Sequence, residues 1–358
     1  MEFSLPWVFL IVFVSALIIT PFIIWLALKV GVVDHPDERK VHTRLLQRLG
    51  GLAIFLAIVV GYFVSGLYHE QMNSIILGLI VIVGLGVVDD MYGLTARFKF
   101  LVEIGVACII VFGSGLVIHF VTLPYFGKIE LGFFGYILTI VWIVGITNAI
   151  NLIDGLDGLS AGVSAIVLST IGVLAFFGGK IMILTMVVVS VAAILGFLVY
   201  NFYPAKIFMG DTGSLLLGYL IAVISLLGLY KSVTLFSFIV PIMILGVPIF
   251  DTLFAIIRRA VNRKPISAPD KSHIHHRLLA LGFEHRTTVI LIYIFSFMFS
   301  ASALLLSGSS TLLGSFVLIV AIILFLEFIV ELTGLVSTRY RPLMKFVGKL
   351  RRKKDRKG

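Results

Sequence analysis

Cysteine and charge are what this chain has least of. Its 358 residues contain one cysteine, Cys108, set in an apolar run, so a disulfide framework is excluded and the thiol reads as packing. Charged residues make up only 13%, against the roughly 25% of soluble domains, while 60% are hydrophobic. With a mean hydropathy of +1.15, that balance excludes an ordinary soluble domain. No signal-peptide cleavage pattern follows the first apolar segment, which is therefore expected to stay as a helix.

What is present is a series of apolar segments. They lie near 4–28, 49–67, 73–88, 100–120, 133–150, 159–178, 181–200, 213–230, 234–257, 288–307 and 310–332. Each approaches the ~20 residues a bilayer requires. The expected fold is an all-α polytopic membrane protein of about eleven transmembrane helices. One catalytic domain would span 1–334, followed by a basic tail over 335–358. An odd number of crossings puts the termini on opposite sides. Of the 28 Lys and Arg residues, all but Lys128, Lys180 and Lys231 fall on one of those sides. The positive-inside rule makes that side cytoplasmic, with the N-terminus outside and the C-terminus in the cytosol. The net charge of +10 therefore suits anionic lipid headgroups along the tail and gives no nucleic-acid site. A short hairpin is expected over Val121–Leu131, where Pro124 and Gly127 separate two β-prone runs.

Acidic residues follow the basic ones. Asp34, Asp89, Asp90, Asp154, Asp157, Asp211 and Asp270 all fall at expected cytoplasmic loops or helix ends, which points to one site facing the cytosol. The stretch Asn151-Leu152-Ile153-Asp154-Gly155-Leu156-Asp157-Gly158 is its centre. It sets an amide and two carboxylates at three-residue spacing between two long apolar segments, near one face if the second helix starts early. One Asp would suffice as a helix cap, and ionisable groups at membrane helices are costly and usually functional. Asp89-Asp90 closes the third segment, where two carboxylates oppose the helix dipole and repel each other unless a cation or metal compensates. Asp211, within Gly210-Asp211-Thr212-Gly213-Ser214, could cap a helix or ligate Mg²⁺ with substrate phosphates completing the shell. An aspartic protease would need two Asp-Thr-Gly loops on a β scaffold, and this chain has one. The run His273-Ile274-His275-His276-Arg277 is expected to be a polar loop whose donors suit phosphate and sugar oxygens. Zinc is a lesser reading, since no Cys and no fourth ligand lie near. Lys40, in the first cytoplasmic loop, gains meaning only beside an anionic ligand. Glu103 and Asp251 stand out as ionisable residues inside apolar segments.

The order DD, NxxDGxDGL, GDTGS and HIHHR resembles the polyprenyl-phosphate N-acetylhexosamine-1-phosphate transferases over residues from about 30 to 285. The HIHHR form resembles the branch using UDP-GlcNAc, which includes enzymes that start enterobacterial antigens and wall teichoic acid. The branch making lipid I from phospho-MurNAc-pentapeptide more usually carries three consecutive His. The resemblance implies Mg²⁺, or Mn²⁺ in its place, on Asp211 and Asn151, and a nucleoside pocket lined by Asp154 and Asp157. It implies Lys99 and Arg277 on phosphates, with Lys40, His273, His275 and His276 completing a phosphate and sugar subsite. Asp89 and Asp90 would act on the attacking lipid phosphate. The longer DDxxD form of some relatives is missing, since Met91-Tyr92-Gly93 follows Asp90. The implied partners are UDP-GlcNAc, undecaprenyl phosphate and the bilayer of the bacterial plasma membrane. Oligomeric state, a homodimer included, is not set by the sequence. From other classes, a secondary transporter would place its ionisable residues near the midplane. A prenyl-transferring enzyme would need two Asp-rich stretches and would leave GDTGS and HIHHR unexplained.

Overall fold

The computed structural model describes residues 4–34, 46–67, 70–123, 127–229, 239–263 and 273–307, with scattered positions from 316 to 325. Helix α1 (Leu5–Val30) ends at Gly31 and leads into a two-residue ladder of β1 (Val33–Asp34) and β2 (Leu46–Gln47). Helices α2 (Gly50–Ser65), α3 (Glu70–Tyr92) and α4 (Ala96–Cys108) follow, with a π-helical turn over Ile109–Ser114. Strands β3 (Phe120–Leu123) and β4 (Gly127–Glu130) pair antiparallel as the expected hairpin. The chain continues through α5 (Phe133–Ile153), α6 (Leu159–Phe177), α7 (Ile181–Asn201) and α8 (Gly210–Leu229). It then runs through α9 (Ile239–Ile244), α10 (Gly246–Val261), α11 (Ile274–Ala280) and α12 (His285–Ser307). Seven of these, α1, α3, α5, α6, α7, α8 and α12, are long and apolar enough to cross a membrane.

Two segments differ from expectation. The fourth, expected over 100–120, stops at Ser114, because Gly115 takes a left-handed conformation that ends the helix. The ninth, expected over 234–257, is broken at Leu245 into α9 and α10. Pro248 stands in the first turn of α10, where a missing amide costs nothing but a continuous helix could not pass. The segment at 310–332 lies largely outside the described residues.

Helix α8 is the hub. It packs against α2, α3, α5, α6 and α7, and 83% of its apolar window is buried, against 28% for α1 at the periphery. Its neighbours are tied to it by hydrogen bonds that satisfy polar groups between apolar helices. Tyr219 donates to the Ile75 carbonyl on α3 at 2.7 Å, and Trp142 Nε1 on α5 donates to Ser225 at 3.1 Å. Bulky side chains such as Trp7, Ile18, Phe22, Phe133, Phe134 and Phe177 are exposed on the outer helices, as a lipid-facing perimeter requires. The start of α8 is pinned to the chain before α2. Phe208 N donates to Gln47 O at 2.8 Å, and the amides of Gly50 and Gly51 donate to Phe208 O and Met209 O at 3.0 and 2.8 Å.

Candidate active site

The start of α8 meets the end of α3, and this junction resolves the Asp89-Asp90 repulsion. Asp90 accepts from Asp211 N at 2.9 Å, from Thr212 N at 3.0 Å and from the Thr212 hydroxyl at 2.6 Å. It thereby satisfies two orphan amides of α8 from another helix and sits on the positive end of that dipole. Gly210 makes the approach possible: at φ +71 its backbone suits glycine, and a Cβ there would stand 2.4 Å from Asp90 Oδ2. Asp89 turns the other way. Its Oδ1 accepts from Leu94 N at 2.6 Å and its Oδ2 from Lys99 Nζ at 2.9 Å. Each carboxylate at the end of α3 thus has its own set of donors, with a full counter-charge at Asp89 alone.

Lys99 continues the chain of contacts, donating to Asp211 Oδ2 at 2.6 Å. The side chains of Lys99 and Asp211 remain 22% and 30% exposed, so the pair opens to the surface while Asp89 lies beneath it at 9%. Burial works against the ammonium, but Asp211 and Asp89 outweigh it and hold its proton above the ordinary lysine value. Asn151, on the last turn of α5, faces the same Asp211 carboxylate.

The three polar residues of the 151–158 stretch do not share one helix face. α5 ends at Ile153, Asp154 leaves the helix at φ −77 and ψ 68, and α6 begins only at Leu159. Gly155 and Gly158 between them favour the break. Neither carboxylate caps α6, whose N-cap is Gly158. Asp157 instead accepts from Ala205 N at 3.0 Å, while its own amide donates to His285 Nε2 at 2.9 Å. Asp154 has no side-chain hydrogen-bond partner among the described residues. Burial, then the charges of Asp211, Asp90 and Asp157, push it well above the ordinary carboxylate range.

The histidine run is not a free loop. His273 is the N-cap of α11, and the rest lies on that helix. Asp251, on α10, sets the geometry: its Oδ2 lies 2.8 Å from His273 Nδ1 and its Oδ1 accepts from Ile274 N at 3.1 Å. The rings of His273 and His275 are parallel, 6.0 Å apart. His275 is buried, and its Nε2 has no hydrogen-bond partner among the described residues. A Cβ on Gly155 would stand 2.2 Å from that nitrogen, so α11 is seated directly on the 151–158 turn. Burial, followed by His276, His273 and His285, holds His275 well below the ordinary histidine value, so it is neutral at pH 7. His276 and Arg277 are half-buried on the same helix. Lys40, Asp270 and Lys271 lie outside the described residues.

Among the described residues, no group of three His, Cys, Asp or Glu side chains could hold a metal ion on its own. That donor set does not suit an all-protein cage. It does suit Mg²⁺, which is usually held by one or two carboxylates and completed by substrate phosphates and water. The half-buried Asp211 carboxylate, Asn151 against it and Asp154, which has no partner among the described residues, are the available oxygens. Asp251, Asn148 and His285 were not among the expected site residues. Asp251 carried a signal, as a carboxylate inside an apolar segment, while His285 carried none.

Residues 72–229 match the family described as glycosyl transferase family 4. A Bacillus subtilis (strain 168) protein named "probable undecaprenyl-phosphate N-acetylglucosaminyl 1-phosphate transferase" is 54% identical over 344 residues, covering 96% of each chain. The decaprenyl-phosphate N-acetylglucosaminephosphotransferase of Mycobacterium tuberculosis is 36% identical over 299 residues, 75% of this chain and 74% of its own. The undecaprenyl-phosphate alpha-N-acetylglucosaminyl 1-phosphate transferase of Salmonella typhi is 28% identical over 273 residues, 74% of each. With DD and GDTGS meeting at the start of α8 and HIHHR seated on the NxxDGxDGL turn, the chain belongs to the polyprenyl-phosphate N-acetylglucosaminyl 1-phosphate transferases of glycosyl transferase family 4.

Proposed function

We propose that this chain transfers GlcNAc-1-phosphate from UDP-GlcNAc to undecaprenyl phosphate, giving undecaprenyl-pyrophosphoryl-GlcNAc and UMP, in a bacterial plasma membrane. The observation that carries the reading is the bridge from Asp89 through Lys99 to Asp211, open to the surface, in a chain 54% identical to a relative named for this activity.

An oxygen of the lipid phosphate attacks the phosphorus that bears GlcNAc. The bond from that phosphorus to the bridging oxygen breaks, and the electron pair leaves with UMP. Two anions must meet, so the residues have to supply positive charge. The Lys99 ammonium remains protonated and can pass from the carboxylates to a phosphate oxygen. Arg277 and the ring N–H groups of His273, His275 and His276 take the sugar and its phosphate. Asp89 lies at the lipid-phosphate end, and Asp90 holds the start of α8 in register. Asp154 and Asp157 line the nucleoside pocket. Mg²⁺ held by Asp211 and Asn151 would neutralise the pyrophosphate and the charge developing on UMP.

Eleven crossings, with the N-terminus outside and this site in the cytosol, complete the reading, together with a basic tail over 335–358 on anionic lipid. It rests on the side preference of the 28 Lys and Arg residues. A cell-wall polymer, teichoic acid above others, would consume the product. Incubation of the purified chain with UDP-GlcNAc and a short polyprenyl phosphate tests the reaction: UMP is expected, and its absence in the presence of Mg²⁺ overturns it. Cysteines placed at Asp37 and Pro269 test the topology, since both should resist impermeant thiol reagents until the cytosolic face is opened.

A further inference from the structure

Glu103 is buried on α4, 3% exposed, within a chain of apolar helices. Its hydrogen-bond partner is the Asn148 amide on α5, which also donates to Val144 O at 2.9 Å. Among the described residues Glu103 makes no other hydrogen bond and no ion pair, because the Lys99 ammonium is spent on Asp89 and Asp211. A buried carboxylate with one amide donor is a poor way to join two helices. An apolar pair of the same size is usually as stable or more so. The placement of the pair gives the reason for keeping it. Glu103 is four residues beyond Lys99, on the same face of α4, and Asn148 is three residues before Asn151, on the same face of α5. Lys99 donates to Asp211 on α8, and Asn151 faces the same carboxylate. Two links therefore connect α4 to α5: Lys99–Asp211–Asn151 by way of α8 nearer the surface, and Glu103–Asn148 directly, one turn deeper.

We propose that Glu103 and Asn148 are positioning residues for the transfer, a brace that fixes the spacing of α4 and α5 so that Lys99 and Asn151 reach Asp211 together. The inference rests on the activity proposed above. A hydrogen bond suits this task better than apolar packing, since it fixes one separation and one direction. A misplacement of about 1 Å at a reacting centre can cost ~10²-fold in rate.

The test uses the full chain in detergent. Glu103→Leu should lower kcat for UMP release at least ~10-fold with KM for UDP-GlcNAc within about threefold of wild type. Glu103→Gln, whose amide oxygen still accepts from Asn148, should recover most of that loss. Asn148→Leu should match Glu103→Leu, and the double variant should lose no more than either single one. Uptake of Mn²⁺ in the presence of UMP, followed by electron paramagnetic resonance, needs no turnover and should weaken several-fold in Glu103→Leu. A wild-type chain that releases no UMP would remove the proposed activity but leave this measurement decisive for the brace. If Glu103→Leu does not fold, the double variant, which strands no polar group, carries the comparison. Wild-type kcat and Mn²⁺ uptake in a folded apolar variant overturn the proposal, as does an equal loss in Glu103→Gln and Glu103→Leu.

Discussion

Lys99 Nζ lies 2.6 Å from Asp211 Oδ2, although 112 residues separate the two in sequence. The contact joins the start of α4 to the start of α8 and, in the proposed reaction, puts a protonated amine where two phosphates are to meet. It also sets the terms on which each neighbouring side chain can be tested.

Asp211→Asn keeps the shape of the carboxylate and removes its charge. UMP release should fall at least ~100-fold, a barrier change of roughly 3 kcal/mol, with partial rescue by excess Mg²⁺. Steady-state rates over a Mg²⁺ titration decide it, and a variant within tenfold of wild type would move the metal site elsewhere.

Lys99→Met leaves Asp89 and Asp211 facing each other without the cation between them. Turnover should drop by ~100-fold or more, since one charge-assisted contact to each phosphate oxygen is lost. Because the Lys99 proton is held above the ordinary lysine value, the wild-type rate should show no alkaline loss from this group below about pH 10. An alkaline limb near pH 8 that disappears in Lys99→Arg would contradict that.

Asp89→Asn and Asp90→Asn should separate by stability. Asp90 caps α8 with three accepted hydrogen bonds, and an amide there would turn donors towards the Asp211 and Thr212 amides. The cost should be about 1–2 kcal/mol, read as a lower melting temperature in detergent. Asp89→Asn should lose turnover with little change in melting. Equal melting shifts would show that the cap carries no special weight.

His275 is held neutral by burial, so the unfolded chain binds a proton there more readily than the folded one. Its contribution to stability is complete above the unfolded value near ~6.5 and is lost as pH falls below it. Melting temperature should fall between about pH 7 and pH 5, and His275→Gln should flatten that slope. A slope unchanged in the variant would assign the pH dependence to other groups.

Gly155→Ala places a methyl 2.2 Å from His275 Nε2. The imidazole must then swing away and α11 lift from the turn at 151–158. KM for UDP-GlcNAc should rise several-fold while the Mg²⁺ requirement stays as in wild type. A wild-type KM would mean that the turn, and not the ring, gives way.

Much of this site is legible because its groups come in contiguous runs. Gly210-Asp211-Thr212-Gly213 and Asn151–Gly158 announce themselves by composition, and a carboxylate pair at a helix end needs a partner on electrostatic grounds alone. What could not be read was pairing across helices. Glu103 and Asp251 were visible as ionisable residues out of place, but Asn148 and His273, 45 and 22 residues away, are chosen by how helices dock. Asn151, Asp154 and Asp157 do not share the expected face, because the chain leaves the helix between Ile153 and Leu159, where Gly155 and Gly158 favour a break. The histidine run, expected as a loop, is helical, and Ile274 and Leu278, both buried, have the four-residue spacing of a helix with one inward face.

The bond from Thr212 to Asp90 spans 122 residues, and it has a consequence for how the chain is made. At a synthesis rate of about 5–20 residues per second, roughly 6–24 s pass between the appearance of Asp90 and that of its cap partner. Lys99 arrives only nine residues after Asp90, so Asp89 gains its counter-charge at once, while Asp90 waits with its carboxylate unmatched at the membrane surface. A nascent chain halted anywhere between α4 and α8 therefore carries at the end of α3 a carboxylate that only the finished chain supplies with donors.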